Sequence, residues 1–144
     1  SGAAMTAYGG ALRWASMRMG SKLPLVYSCS GCSSAAQMAN HLALRLDRDG
    51  LAEMSCIAGV GGGVSGLVKT AQSGRQILAL DGCVLACVSA CLGQAGVQPT
   101  RHLLLSEHGV KKHKHADFDA AEAQRVYEHA VRPLAWQLSL NVAD

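Results

Sequence analysis

The chain has 144 residues, about the length of one ordinary domain, and its 49% hydrophobic and 16% charged residues exclude intrinsic disorder. Only 4% of the residues are aromatic and the net charge is +3, so we do not expect a nucleic-acid-binding protein. No apolar run approaches the roughly 18 residues that a membrane span requires, so no membrane partner is expected either.

Residues 1–20 show none of the strand and helix patterns that the rest of the chain shows. We treat 1–20 as an N-terminal extension, and the residues in front of Met5 are consistent with a vector-derived remnant. Trp14 and Arg18 interrupt the apolar stretch that a signal peptide would need. We therefore expect a cytoplasmic protein with reduced thiols, in which 21–144 form one domain.

The first half of the chain alternates apolar runs with helical patterns. A strand is predicted over 23–28, and a helix with an apolar stripe is predicted over 34–48. A weaker second strand follows over 52–58. A glycine-rich turn over 59–66 then leads into a short helix near 64–73.

The second half repeats this alternation. The clearest strand is predicted over 76–80, and a helix near 83–95 follows it, with Val84 and Leu85 among its inward-facing residues. Residues 102–106 are predicted to form the fourth strand. The alternation of strands and helices continues to this point without a linker.

A basic loop and one more helix complete the chain. Lys111–His115 is predicted to be a solvated loop, with a role in binding an anionic group as the less favoured alternative. The last helix is predicted to begin near Asp119, with Glu122 completing a capping box. Pro133 is expected to end or kink that helix.

The four strand runs are apolar on both faces, which is typical of a parallel sheet covered by helices on both sides. We therefore predict a single-domain α/β fold with a four-stranded, mainly parallel sheet. The flavodoxin-like strand order 2-1-3-4 is assumed for this sheet.

The cysteines follow the ends of the predicted strands. Cys29 and Cys32 come directly after strand one, Cys56 ends strand two, and Cys83 and Cys87 follow strand three. The carboxyl ends of parallel strands lie along one edge, and ligands bind where the order reverses. With the order 2-1-3-4, these five thiols are expected to meet at one site.

The cysteine spacings suit chelation. Cys29 and Cys32 form a C-x-x-C turn, and Cys83 and Cys87 would share one face of a helix. Four thiolates in this arrangement would hold zinc, or alternatively an iron–sulfur cluster. Cys56 is then a fifth ligand, a replacement ligand or a neighbouring reactive thiol.

Two further residues near this edge are predicted to have roles other than metal binding. Asp81 stands directly before Gly82 and Cys83, and is predicted to cap the next helix and to support the ligands from outside. Cys91 lies one turn beyond Cys87 and is expected to pack against the sheet rather than bind metal.

A second interpretation is an enzyme. Cys29 or Cys56 would then act as the nucleophile of a thiol redox or sulfur-transfer reaction. The sequence around Cys29 lacks the aromatic and proline residues typical of thioredoxin-like sites. Whether the protein is an enzyme therefore stays open at this point.

Several motifs in order resemble the DGC-domain family of cysteine-rich α/β proteins. The carriers are Cys29 to Ser33, the segment from Ala52 through Cys56 to Gly63, and Asp81-Gly82-Cys83 with Cys87. The similarity extends over about 23–130. It implies a zinc-binding protein without an established activity, with Cys29, Cys32, Cys83 and Cys87 as ligands and Cys56 within the motif.

Overall fold

The computed structural model describes residues 23–140, so the predicted extension 1–20 lies outside the described part. The strands are β1 (Leu25–Ser28), β2 (Glu53–Met54), β3 (Ile77–Asp81) and β4 (Arg101–Leu104). The helices are α1 (Ser34–Arg48), α2 (Ile57–Gly61), α3 (Ser65–Ala71), α4 (Cys87–Gln94), α5 (Ala120–Val126) and α6 (Arg132–Leu140). A 3₁₀ turn (Leu105–His108) follows β4, and a π-helical segment (Tyr127–Val131) joins α5 to α6.

The four strands form one parallel sheet in the order β2-β1-β3-β4, which confirms the predicted order and fold class. Every residue of β1 and β3 is buried, as expected for central strands covered on both faces. β1 therefore lies between β2 and β3, and the segments that follow these three strands meet at one edge.

Helices cover both faces of this sheet. Ser28 of β1 donates its hydroxyl hydrogen bond to Asn40 of α1 at 3.4 Å, and Ser28 is in register with Leu80 of β3. Consecutive residues of a strand point to opposite faces, so Asp81 faces away from α1. Asp81 instead meets the first turn of α4, which places α1 and α4 on opposite faces.

Two predicted boundaries are wrong in ways that affect the site. β2 is only two residues long, so Cys56 lies beyond it as the residue preceding α2. The helix expected near 83–95 begins only at Cys87. As a result Val84 and Leu85 lie in a loop with 78% and 67% of their surface exposed, rather than facing inward.

The C-terminal helix continues past Pro133 rather than ending there. Asp119 caps α5 as predicted, because its carboxylate accepts the backbone N–H groups of Ala121 and Glu122. The π-helical segment stands directly before Pro133. Proline removes one N–H group and crowds the preceding turn, and such a widened turn accommodates that defect without ending the helix.

Candidate functional site

Cys29 joins the two cysteine-bearing turns. It follows β1, its backbone N–H donates to the carbonyl of Leu80 at 3.1 Å, and only 8% of its surface is exposed. Its Sγ accepts a hydrogen bond from the backbone N–H of Gly82 at 3.3 Å. The turn after β1 is thus attached to the turn after β3 through a sulfur atom.

The environment of Cys29 favours its protonated form. Burial raises the pKa of its thiol from 9.0 to about 11. The Gly82 hydrogen bond opposes this shift, while Coulombic interactions with Asp81, Cys87 and Cys83 add to it. Cys29 is therefore a neutral thiol at neutral pH, and Cys83 and Cys87 lie close enough to it to interact electrostatically.

Cys32 lies on the outer side of the first turn and is exposed. Its carbonyl accepts the backbone N–H of His115 at 3.0 Å, and Ser34 N–H donates to the carbonyl of His113 at 2.9 Å. The loop Lys111–His115, predicted to be simply solvated, is thus held by its backbone against the C-x-x-C turn. Its side chains remain exposed.

The same basic loop reaches the second cysteine-bearing turn. Lys112 donates from its ammonium group to Cys83 Sγ at 3.5 Å. Cys83 is half-buried and lies in the turn before α4, so it does not share a helical face with Cys87 as predicted. A positive charge therefore lies beside one of the candidate ligands.

Gly82 is required where it stands because the turn presses against α1. A Cβ atom at this position would lie 2.7 Å from the backbone carbon and oxygen of Ala35 and 2.9 Å from the nitrogen of Ala36. Any side chain here would collide with the backbone of α1, which cannot shift without the rest of the helix. The middle residue of the Asp-Gly-Cys motif thus allows close approach between the turn and α1.

Asp81 is 1% exposed and receives three hydrogen bonds. Its carboxylate accepts the backbone N–H groups of Val88 at 2.9 Å and Ser89 at 3.4 Å, and it contacts His102 Nε2 at 2.8 Å. It therefore satisfies the start of α4 from outside that helix. By doing so it sets the start of α4, whose first residue is Cys87.

The backbone is strained immediately before Cys87. Ala86 adopts φ 52° and ψ 50°, the left-handed region that costs a residue with a Cβ about 1–2 kcal/mol. The residues ahead of it, Val84 and Leu85, are exposed. The second turn is therefore held at its two ends and little packed between them.

Cys56 and Cys91 occupy separate positions. Cys56 is exposed and immediately precedes α2. Cys91, on α4, is half-buried, and its Sγ lies 2.9 Å from where a Cβ of Gly61 would stand. Cys91 thus packs against α2.

Residues 23–140 contain no group of three or more His, Cys, Asp or Glu side chains arranged to hold a metal ion. All six cysteines are free thiols. The fold brings the turns of Cys29, Cys32, Cys83 and Cys87 to one edge, without closing them into a chelating set. Four thiols are suitable zinc ligands, but their sulfur atoms would have to move closer together to bind the ion.

No spacing pattern in the sequence pointed to His102 or Lys112. His102 contacts Asp81 because residue 102 is in register with Ala79, two residues before Asp81 on the same face of β3. Only the sheet register reveals this contact. Lys112 reaches Cys83 only because its loop pairs with the first turn.

The fold and this cysteine-bearing edge define the class of the protein. The family model described as "DGC domain" matches residues 25–130, and the chain belongs to that family, which confirms the resemblance. It is 62% identical over 112 residues to the "Anaerobic and virulence modulator AnvM" of Pseudomonas aeruginosa. The match covers 78% of this chain and 86% of that relative.

No solved structure matches the chain significantly. Within residues 23–140, no helix has the length and apolar content that crossing a membrane requires.

Proposed function

We propose that this protein binds zinc through thiolates supplied by the turns after β1 and β3. Cys29, Cys32, Cys83 and Cys87 are the proposed ligands, with Cys56, which follows β2, as a fifth thiol at the same edge of the sheet. Structural zinc sites are tetrahedral, four cysteines are one of their common ligand sets, and two cysteine pairs supply that number.

The observation that carries the proposal is the hydrogen bond from Gly82 N–H to Cys29 Sγ at 3.3 Å. It shows that a sulfur of the first pair lies against the turn that carries the second pair. Backbone N–H groups that donate to sulfur are a common support of thiolate metal centres. The two turns therefore start close together, before any movement that would bind a metal.

The charges around the site support the same proposal. A zinc ion with four thiolates carries a net negative charge, which a positively charged neighbour stabilises. Lys112 already contacts Cys83, and the loop Lys111–His115 is attached by its backbone to the turn of Cys32. Binding would also need Cys29 to lose its proton, so affinity should rise with pH.

The segment from Cys83 to Cys87 is the part that would move. Its middle residues are exposed, and Ala86 holds a strained conformation that a rearrangement would relieve. The turn of Cys29, by contrast, is fixed by hydrogen bonds. We infer that zinc binding draws Cys83 and Cys87 toward Cys29 and Cys32.

A regulatory role is consistent with this chemistry. The relative is named as a modulator linked to anaerobic conditions and virulence. A thiolate zinc site is stable in a reducing compartment, which fits our expectation of a cytoplasmic protein. We propose the regulatory class for this chain, and assign no catalytic residue.

The test is metal analysis of protein purified without oxygen, combined with thiol titration before and after a chelator. We expect about one zinc per chain, with thiols that become reactive when the chelator removes the metal. Cys83→Ser should lose most of the bound zinc. Cys91→Ser is the matched control, because it changes the same residue type on α4 and should keep the metal.

Three results would contradict the zinc assignment. Equal metal retention in the two variants would show that the ligand set is wrong. Visible brown absorption would indicate an iron–sulfur cluster instead. Metal-free protein with one rapidly reacting thiol would favour redox or sulfur-transfer chemistry, for which the exposed, free Cys32, Cys56 and Cys87 are the accessible groups.

A further inference from the structure

A cavity lies beside β4, and no cysteine lines it. It is an open cleft with a volume of about 640 Å³, lined by β4, the 3₁₀ turn and the C-terminal helical segment. This volume is within the range of sites for small organic ligands. Nothing in the zinc proposal uses it.

The polar lining of this cavity suits a negatively charged group. Arg101, His102, His108 and His129 line it, against a single carboxylate from Glu107. A guanidinium and imidazole groups are the donors that proteins use for carboxylates. These side chains form no metal-binding group in the described part of the chain, so an organic anion is the better match.

Apart from Gln137, the rest of the lining is apolar. Leu134, Trp136 and Leu140 of α6 form one wall, and Leu103 of β4 contributes to the other. An apolar wall opposite a cluster of donors fits a ligand with a hydrocarbon or aromatic body and one acidic group. The donors would orient such a ligand, and the wall would bind its body.

One lining residue connects the cavity to the thiols. The side chain of His102 is 27% exposed, and its Nε2 lies 2.8 Å from the buried carboxylate of Asp81. The same carboxylate accepts the N–H of Val88, next to Cys87 at the start of α4. A ligand that draws His102 toward itself would weaken the contact between His102 and Asp81. The hydrogen bonds that Asp81 accepts from the first turn of α4 would then change.

We propose that this cavity is an effector site for a small carboxylate with an apolar body, and that the ligand acts on the thiol edge through His102 and Asp81. The effector role rests on the proposed thiol site, whereas binding in the cavity does not. Binding is therefore measured first on reduced protein without zinc.

Trp136 reports binding directly. The chain has two tryptophans, so Trp14→Phe leaves Trp136 as the single tryptophan. We expect benzoate and hexanoate to change its emission saturably, and the uncharged benzamide to bind more weakly. Arg101→Ala should weaken carboxylate binding about tenfold, because a charge-assisted hydrogen bond is lost.

Arg125→Ala is the matched control, since Arg125 is an exposed arginine of α5 that does not line the cavity. Failure of both carboxylates to bind would overturn the site. Equal binding of benzoate and benzamide, or equal weakening in the two arginine variants, would overturn its assignment to an anion.

The link to the thiols needs a separate readout. Saturating carboxylate should shift the alkylation rate of Cys87, measured by peptide mass spectrometry. His102→Leu should abolish that shift, while His102→Gln, which keeps a donor toward Asp81, should retain part of it. Binding without any change at Cys87 would overturn the effector role while leaving the zinc proposal intact.

Discussion

The two cysteine-bearing turns follow neighbouring strands, yet they differ in how firmly they are held. In the turn after β1, Ser33 caps α1 by accepting the N–H of Ala36 at 3.1 Å, and the basic loop pairs with its backbone. In the turn after β3, Gly82 is wedged against α1, but Val84 and Leu85 face solvent.

This difference separates a fixed half of the site from a movable half. Cys29 is buried, hydrogen-bonded and protonated, so its position is fixed before any ligand binds. Cys83 and Cys87 flank a segment with few packing contacts and a strained residue, which are the features of a low-stability region. A ligand-dependent change at this edge should therefore occur mainly after β3.

The largest expected effect concerns Gly82, where the turn after β3 packs against α1. Gly82→Ala would place a methyl group against the backbone of Ala35, so we expect a loss of about 3 kcal/mol in unfolding free energy. Urea denaturation measures this. Gly93→Ala on α4 is the control, because nothing lies within 4 Å of its Cβ position. A Gly82→Ala variant as stable as the wild type would show that this contact is not rigid.

The next largest effect concerns Cys29, in the fixed turn, and is a change of stability with pH. Because the pKa of Cys29 is raised when folded, its contribution to stability is complete below pH 9.0 and is lost as the pH rises toward about 11. We expect this single group to account for about 2 kcal/mol of alkaline destabilisation. Burial also raises the pKa values of Tyr27 and Tyr127, which act in the same direction.

The measurement compares unfolding free energies at neutral and alkaline pH in two variants. Cys29→Ala should flatten the alkaline decline, while Cys32→Ala, which alters an exposed thiol of the same turn, should not. Equal pH dependence in both variants would mean that Cys29 is not the buried neutral thiol described above.

The smallest effect concerns the strained end of the movable turn. Ala86→Gly should stabilise the protein by about 0.5–1 kcal/mol, since glycine adopts φ 52° without a steric penalty but gains entropy when unfolded. Ala90→Gly, in the exposed middle of α4, should destabilise it by about 1 kcal/mol. Thermal unfolding of the two variants should therefore shift in opposite directions.

Much of this architecture could be predicted from local patterns. The apolar runs at residues 23–28 and 76–80 indicated central parallel strands, and those runs became β1 and β3. Cysteines placed directly after those strands had to reach the same edge once the order was 2-1-3-4. Asp119 with Glu122 marked the start of α5, because capping depends on neighbouring residues only.

Contacts between distant segments could not be predicted in this way. Val84 and Leu85 are apolar and fit a helical stripe, but Asp81 accepts N–H groups only from Val88 onward, so α4 begins late. The pairing of the basic loop with the turn of Cys32 also depends on residues far apart in the chain.

The amino-acid sequence alone determined the layered α/β fold and the collection of thiols at one edge, because periodicity and strand ends are local properties. The tertiary structure alone decided which thiol is buried, which turn is exposed, and that His102 both contacts Asp81 and lines a cavity beside β4. Burial and hydrogen bonding between elements depend on register and packing, and these are fixed only when the whole chain folds together.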